Sequence, residues 1–245
     1  MTGIRSEIDR MIREDDLPGL LTRTGEVHGH HCVGSTMGVI AAHRAMKELG
    51  VVENTGMEHV VAIVETNNCF TDGVQVVTGC TFGNNALIYR DLGKMALTLV
   101  KRDSEGVRLV AKPDAGDALR NEDPEASRLY RLVVNERKAT PEEEARMIEL
   151  NRRHCYNVLN VPVEEIFEIE RVHISPPASY SRLKGSLICA GCGEKVMETR
   201  VVEVDGKPYC LSCSGDPFSQ LDWSGISMRS QEPRERNKPH RLSSL

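Results

Sequence analysis

His59-Val60-Val61-Ala62-Ile63-Val64-Glu65-Thr66 is the stretch on which the fold turns. Its run of β-branched, apolar residues reads as a buried strand. Cys69 follows three residues past Thr66. Thr71 or Asp72 is placed to cap a short helix that runs through Val77 and carries Gln75. Thr78-Gly79-Cys80-Thr81-Phe82-Gly83 is then a small-residue loop with a second cysteine. Cys69 and Cys80 therefore stand at opposite ends of one helical element. Polar and nucleophilic groups at loop ends beside a strand terminus are where α/β proteins commonly build their sites.

Upstream lies the densest chemistry, His28-Gly29-His30-His31-Cys32-Val33-Gly34. If this segment is extended, His28, His30 and Cys32 point to one side and His31 alternates away. If it is helical, His28 and Cys32 share a face one turn apart. Imidazole nitrogen and thiolate sulfur are the donors that zinc and related metals prefer. Residues 4–16 carry Ile4, Ile8, Met11 and Ile12 at helical spacing, and Pro18-Gly19 is expected to end that helix. From about Ser35 to Leu49 the pattern is helical, with Gly50 as a C-cap. His43, on its polar side, reads as a surface residue. His30 and Cys32 precede this helix, where free N–H groups and the helix dipole favour a thiolate.

Downstream, Ala86 to Asp91, Lys94 to Lys101 and Val107 to Ala111 read as strands, the last two joined by Asp103-Ser104-Glu105-Gly106. Pro124 to Lys138 and Pro141 to Leu159 read as helices opened by proline. Cys155, in the second, reads as a small core residue. Glu165 to Ile174 gives one more strand. The expectation is an α+β domain with a mixed five-stranded sheet flanked by helices.

Eight cysteines fall into two groups. Cys189-Ala190-Gly191-Cys192 and Cys210-Leu211-Ser212-Cys213 are two C-x-x-C pairs that predict a structural tetrahedral zinc. Thr199 to Val204, Asp205-Gly206 and Lys207 to Tyr209 form a hairpin between them. So small a module draws most of its folding energy from the metal. The domain boundaries follow: an α+β domain over 1–175, a linker over 176–186, a zinc finger over 187–214 and a flexible tail over 215–245.

Hydrophobic residues make up 40% and charged residues 27% of the chain, as in ordinary globular proteins. No apolar run approaches a membrane span. The N-terminus has no apolar signal core, so a cytoplasmic protein is expected. A net charge of −5, with one Trp, four Phe and five Tyr, argues against nucleic acid as a partner.

Three segments in combination, His28 to Gly34, Cys69 to Gly83, and Asp91-Leu92-Gly93-Lys94-Met95-Ala96, resemble the FmdE family, named for formylmethanofuran dehydrogenase. The paired cysteines resemble the treble-clef zinc finger that many members carry. The resemblance implies a thioredoxin-like N-terminal layout, an active site able to hold zinc, and a homodimer. Two positions depart from the family: Val33 where proline is common, and Asn84 where lysine is common. The ligand set expected for the N-terminal site is His28, His30, Cys32, Cys69 and Cys80, holding zinc or iron. Asp72 and Gln75 would hold a ligand's second nitrogen. If the site is catalytic, Cys32, Cys69, Cys80, Asp72 and Gln75 would carry the chemistry. The function expected is an accessory or metal-handling component of a molybdenum or tungsten formylmethanofuran dehydrogenase, an oxidoreductase complex of methanogenesis. The alternatives are a free-standing zinc or thiol redox enzyme and a metal-responsive regulator.

Overall fold

The computed structural model describes residues 3–53, 59–175 and 185–230. The chain divides into two compact units, Met1–Ala178 and Ser179–Leu245. The first unit opens with α1 (Ser6–Arg13), α2 (Leu17–His28) and α3 (Val33–Glu48). Then come β1 (Val60–Val64), α4 (Cys69–Thr78), β2 (Leu87–Tyr89), β3 (Ala96–Lys101) and β4 (Glu105–Ala111). It closes with α5 (Ala115–Ala118), α6 (Pro124–Tyr130), α7 (Pro141–Val158), α8 (Val163–Ile166) and β5 (Phe167–His173).

The strands form one five-stranded sheet in the order β2-β1-β3-β4-β5. Only β1 and β2 are parallel, and α4 is the connection between them. The other neighbours are antiparallel, so the sheet is mixed, as expected of an α+β domain. All five residues of β1 are buried, which is why its pattern is continuous rather than alternating. Met37, Val39, Ile40, Ala42 and Met46 of α3 join Val60, Ala62, Val64, Leu97 and Leu109 of the sheet in one core.

Several local expectations are corrected. Pro18-Gly19 does not end a helix; it lies in the first turn of α2, where a missing N–H costs nothing. Asp16 caps that helix by accepting from Gly19 N at 2.9 Å. The cap of α4 is Asn68, whose Oδ1 accepts from Phe70 N at 3.0 Å, not Thr71 or Asp72. Thr71 instead donates to Thr66 O at 2.6 Å and ties the helix to the end of β1. His43 is not on the surface. Its side chain is only 12% exposed, with Nε2 3.0 Å from Asp15 Oδ1 in the turn between α1 and α2. The helix expected to reach Lys138 passes after Tyr130 into a π-helical turn, Arg131–Glu136.

The second unit contains the hairpin β6 (Ser186–Ile188) and β7 (Lys195–Met197), then β8 (Val201–Val204), β9 (Lys207–Cys210) and α9 (Leu211–Ser214). The β8–β9 turn is Asp205-Gly206, both at positive φ, the geometry a two-residue hairpin needs. Beyond it the expected flexible tail is wrong in its first half. Two strands, β10 (Phe218–Asp222) and β11 (Gly225–Arg229), pair as an antiparallel hairpin. Leu221 and Ile226 sit directly opposite each other, a pairing that no run of apolar residues announced. Most of the expected linker, and residues 231–245, lie outside the described residues.

The crossing of α3 and α4 packs backbone against backbone. A Cβ on Gly38 would stand 2.1 Å from Phe70 O, and one on Gly73 would stand 2.5 Å from Ser35 O. Any side chain there forces the helices apart. Gly73→Ala is expected to cost about 2–3 kcal/mol in urea unfolding of the zinc-loaded chain. Gly116→Ala, which meets nothing within 4 Å, should be neutral within about 0.5 kcal/mol or slightly stabilising.

Candidate metal centre

Three elements build the N-terminal site. Helix α2 ends at His28, and Gly29 closes it in the left-handed conformation at φ 89°. His30 and His31 form the link to Cys32, which caps α3. The segment is thus a helix end, a turn and a helix start, and no strand alternation operates. His28, His30 and Cys32 still converge: one ligand atom from each lies within 4.8 Å of the others. The rings of His28 and His30 are 4.4 Å apart between centroids. His31 turns away, its ring 5.7 Å from that of Tyr156.

His28 is held on both nitrogens. Nδ1 lies 2.7 Å from Asp72 Oδ2, and Nε2 lies 3.6 Å from Cys32 Sγ. Gln75 Nε2 donates to the other Asp72 oxygen at 3.4 Å. Asp72 is free to do this because Asn68, not Asp72, caps α4. Burial disfavours the His28 imidazolium, but the Asp72 hydrogen bond and the Cys32 sulfur outweigh it and raise its pKa.

Cys32 is a strongly acidified thiol, pushed down to about 4. The largest cause is a hydrogen bond from the Cys69 thiol; Ser35 and His28 add to it against the cost of burial. Ser35 N donates to Cys32 Sγ at 3.4 Å, and Cys32 N donates to Ser35 Oγ at 3.4 Å, which completes a capping box. Ser35 was missed in the sequence, although the Cys32-x-x-Ser35 spacing is that of a capping box. Cys69 is the first residue of α4, so two helix N-termini meet at this sulfur pair. The proton they share stays with Cys69, whose pKa is raised by the same contact.

Cys80 does not belong to the site. It is fully buried, and its thiol donates to Val60 O at 3.6 Å. It lies beyond the C-terminal end of α4, about 15 Å of helix away from Cys69. Asn84 lies at that same far end, where Nδ2 donates to Gly79 O at 2.7 Å and Oδ1 accepts from Thr81 N at 2.9 Å. Its departure from lysine therefore leaves the Cys32 environment untouched. Val33 occupies the first position of α3, which proline favours for its fixed φ but does not require.

In the second unit, Cys189, Cys192, Cys210 and Cys213 bring their sulfurs within 4.8 Å of one another. Cys192 and Cys210 sulfurs are 4.0 Å apart, against about 3.8 Å for two sulfurs on one tetrahedral zinc. Cys210 N donates to Cys189 Sγ at 3.2 Å. A Cβ on Gly191 would stand 2.9 Å from Cys213 Sγ, so only glycine fits the first C-x-x-C turn. The set fits a structural zinc with all four positions filled by the protein.

Comparison with known proteins assigns a family to the first unit and a finger type to the second. Residues 27–168 match the family model described as FmdE, molybdenum formylmethanofuran dehydrogenase operon, and the chain belongs to that family. Residues 182–216 match the prokaryotic dksA/traR C4-type zinc finger. A probable S-adenosyl-L-methionine-binding protein of Archaeoglobus fulgidus is 40% identical over 226 residues, 91% of this chain. The chain spans 59% of that relative's length. A tungsten formylmethanofuran dehydrogenase FmdE-like protein from Syntrophus aciditrophicus, solved as a crystal structure, shares the fold with a TM-score of 0.52. It is 22% identical, and the match covers 81% of this chain and 92% of that one. No helix among the described residues is long and apolar enough to cross a membrane.

The electrostatics give a direct expectation. A thiol with its pKa lowered to about 4 remains a thiolate between pH 5 and 7 and loses that form only as pH falls through 4. Ordinary thiols, near about 8.5, are protonated across that window. Iodoacetamide at pH 6, with the finger's zinc retained, should alkylate Cys32 first, as read by peptide mass mapping. Cys155, buried and pushed up to about 11, should stay unmodified.

Proposed function

We propose that the first unit is a metal-handling module. In this reading His28, His30 and Cys32 hold a zinc or iron ion, with a coordination position left open for exchange. The carrying observation is the convergence of these three donors within 4.8 Å. Asp72 at 2.7 Å from His28 Nδ1 supports it, since a carboxylate on the far nitrogen is the usual way to orient a metal-binding imidazole. The 3.6 Å between His28 Nε2 and Cys32 Sγ is close to the roughly 3.5 Å expected across a tetrahedral zinc. An ion so held would polarise a bound carbonyl or water.

The description of the family and the name of the Syntrophus aciditrophicus protein both point to formylmethanofuran dehydrogenase. On that ground the chain acts as an accessory or metal-handling partner of a molybdenum or tungsten enzyme of this kind, in one-carbon metabolism. The finger, with its exposed Ile188, Met197 and Val204, is the part that docks. S-adenosyl-L-methionine binding stays outside the proposal, because the match spans only 59% of the relative that carries the name.

A second reading, a thiol redox enzyme, is favoured by the hydrogen-bonded sulfurs of Cys32 and Cys69. Elemental analysis separates the two. The metal-handling reading expects two metal ions per chain after loading, and one after His28→Ala or Cys32→Ser, with the finger's zinc unchanged. One metal in the loaded native chain would retire it. A dehydrogenase subunit recovered with the tagged protein from a native extract supports the partner, and a clean tagged protein under gentle conditions counts against it.

A further inference from the structure

The donors of the candidate metal centre have a second geometry in them. Asp72 Oδ2, His28 Nδ1 and Nε2, and Cys32 Sγ stand in line at 2.7 and 3.6 Å. This is a nucleophile, a base and an orienting carboxylate in the order that thiol acyl-transfer sites use. We propose that, with no metal bound, Cys32, His28 and Asp72 form an acyl-transfer triad for thioesters or activated esters. Cys32 and His28 are the catalytic residues and Asp72 is a positioning residue.

Three further features fit this role. Cys32 caps α3, so the N–H groups of Val33 and Gly34, first and second in the helix, have no intrahelical acceptor. They stand next to the sulfur in sequence and can receive an oxyanion that develops there. Gly34 leaves the approach uncrowded, since a Cβ there would come within 3.1 Å of Cys69 Cβ and 3.9 Å of Cys32 Sγ. Solvent reaches the sulfur's surroundings, since Cys32 is only half-buried and His30 beside it is exposed.

The chemistry balances without an external oxidant. Cys32 sulfur adds to the acyl carbonyl carbon. The C–S bond forms, the bond to the leaving thiol or alcohol breaks, and the proton on His28 Nε2 passes to the leaving group. Water or an acceptor nucleophile then attacks the thioester and gives its proton to His28. The C–S bond breaks and the thiolate is restored. The net reaction is acyl transfer, with no change of oxidation state.

This activity goes beyond metal handling and does not depend on it: a chain that takes up no second metal should still be acylated. The test uses the full chain with its finger zinc retained, after treatment with a chelator too weak to strip a four-cysteine site. The probe is p-nitrophenyl acetate. The expected result is a burst of p-nitrophenolate stoichiometric with the chain and an acetyl adduct on the Cys32 peptide. Cys32→Ser should remove the burst. His28→Ala should slow acylation about 100-fold. Asp72→Asn should slow it at least about 10-fold, and Asp72→Glu should recover part of the loss. Circular dichroism and zinc content confirm that each variant is folded. No burst, an adduct at another residue, or His28→Ala and Asp72→Asn chains acylated at the native rate would overturn the triad, the last leaving only a reactive thiol.

Discussion

The contact between α3 and α4 is the constraint on which the first unit depends. Gly38 lies against the backbone of Phe70, and Gly73 lies against that of Ser35, with no room for a side chain at either. Backbone on backbone is the closest that two helices can pack. Because both start at the same end of the crossing, their N-termini meet. Cys32 caps one and Cys69 opens the other. The acidified sulfur of Cys32 follows from that meeting: the thiol of Cys69, at the head of α4, and the N–H of Ser35, in the first turn of α3, both donate to this one atom. The glycines thus shape the chemistry from inside the core, one layer removed from the site.

His28 links this helix pair to α2. Its Nδ1 reaches Asp72 on α4 and its Nε2 reaches Cys32 at the head of α3. Whatever occupies the space between Nε2 and Sγ, a proton or a metal ion, sits between the same two electron pairs. This is why the two proposals concern one set of atoms: metal handling uses them as donors, and acyl transfer uses them as a base and a nucleophile. Zinc on Cys32 would occupy the lone pair that attacks a carbonyl, so the two states exclude each other at any instant.

The second unit is organised on the opposite principle. Its strands are three to five residues long, and among its described residues only Cys189, of the hydrophobic ones, is part of the buried set. A module with so little apolar burial cannot offset the entropy of ordering its chain. Four thiolates on one zinc supply what the missing core does not. The first unit needs no such ion, because β1, α3 and α4 bury an apolar core of their own.

Much of this was legible in the residues alone. The continuous run from Val60 to Val64 announced a central strand because burial on both faces removes the need for alternation. The C-x-x-C pairs announced their zinc because the four ligands come from two local turns whose geometry the spacing dictates. The clustering of His28, His30 and Cys32 was visible for the same reason, since all three lie close together in the chain. Which distant groups join them was not. Cys69 and Cys80 looked equivalent in sequence, each a thiol at a helix end. Only the direction of α4 puts Cys69 against Cys32 and buries Cys80 under Val60. Asp72 looked like a cap until Asn68 took that position. Sequence determined the kinds of ligand and the local turns, because these depend on neighbours within a few residues. Tertiary structure decided the partners, because they depend on which end of a helix faces which, and that is set by glycines packed against backbone far along the chain.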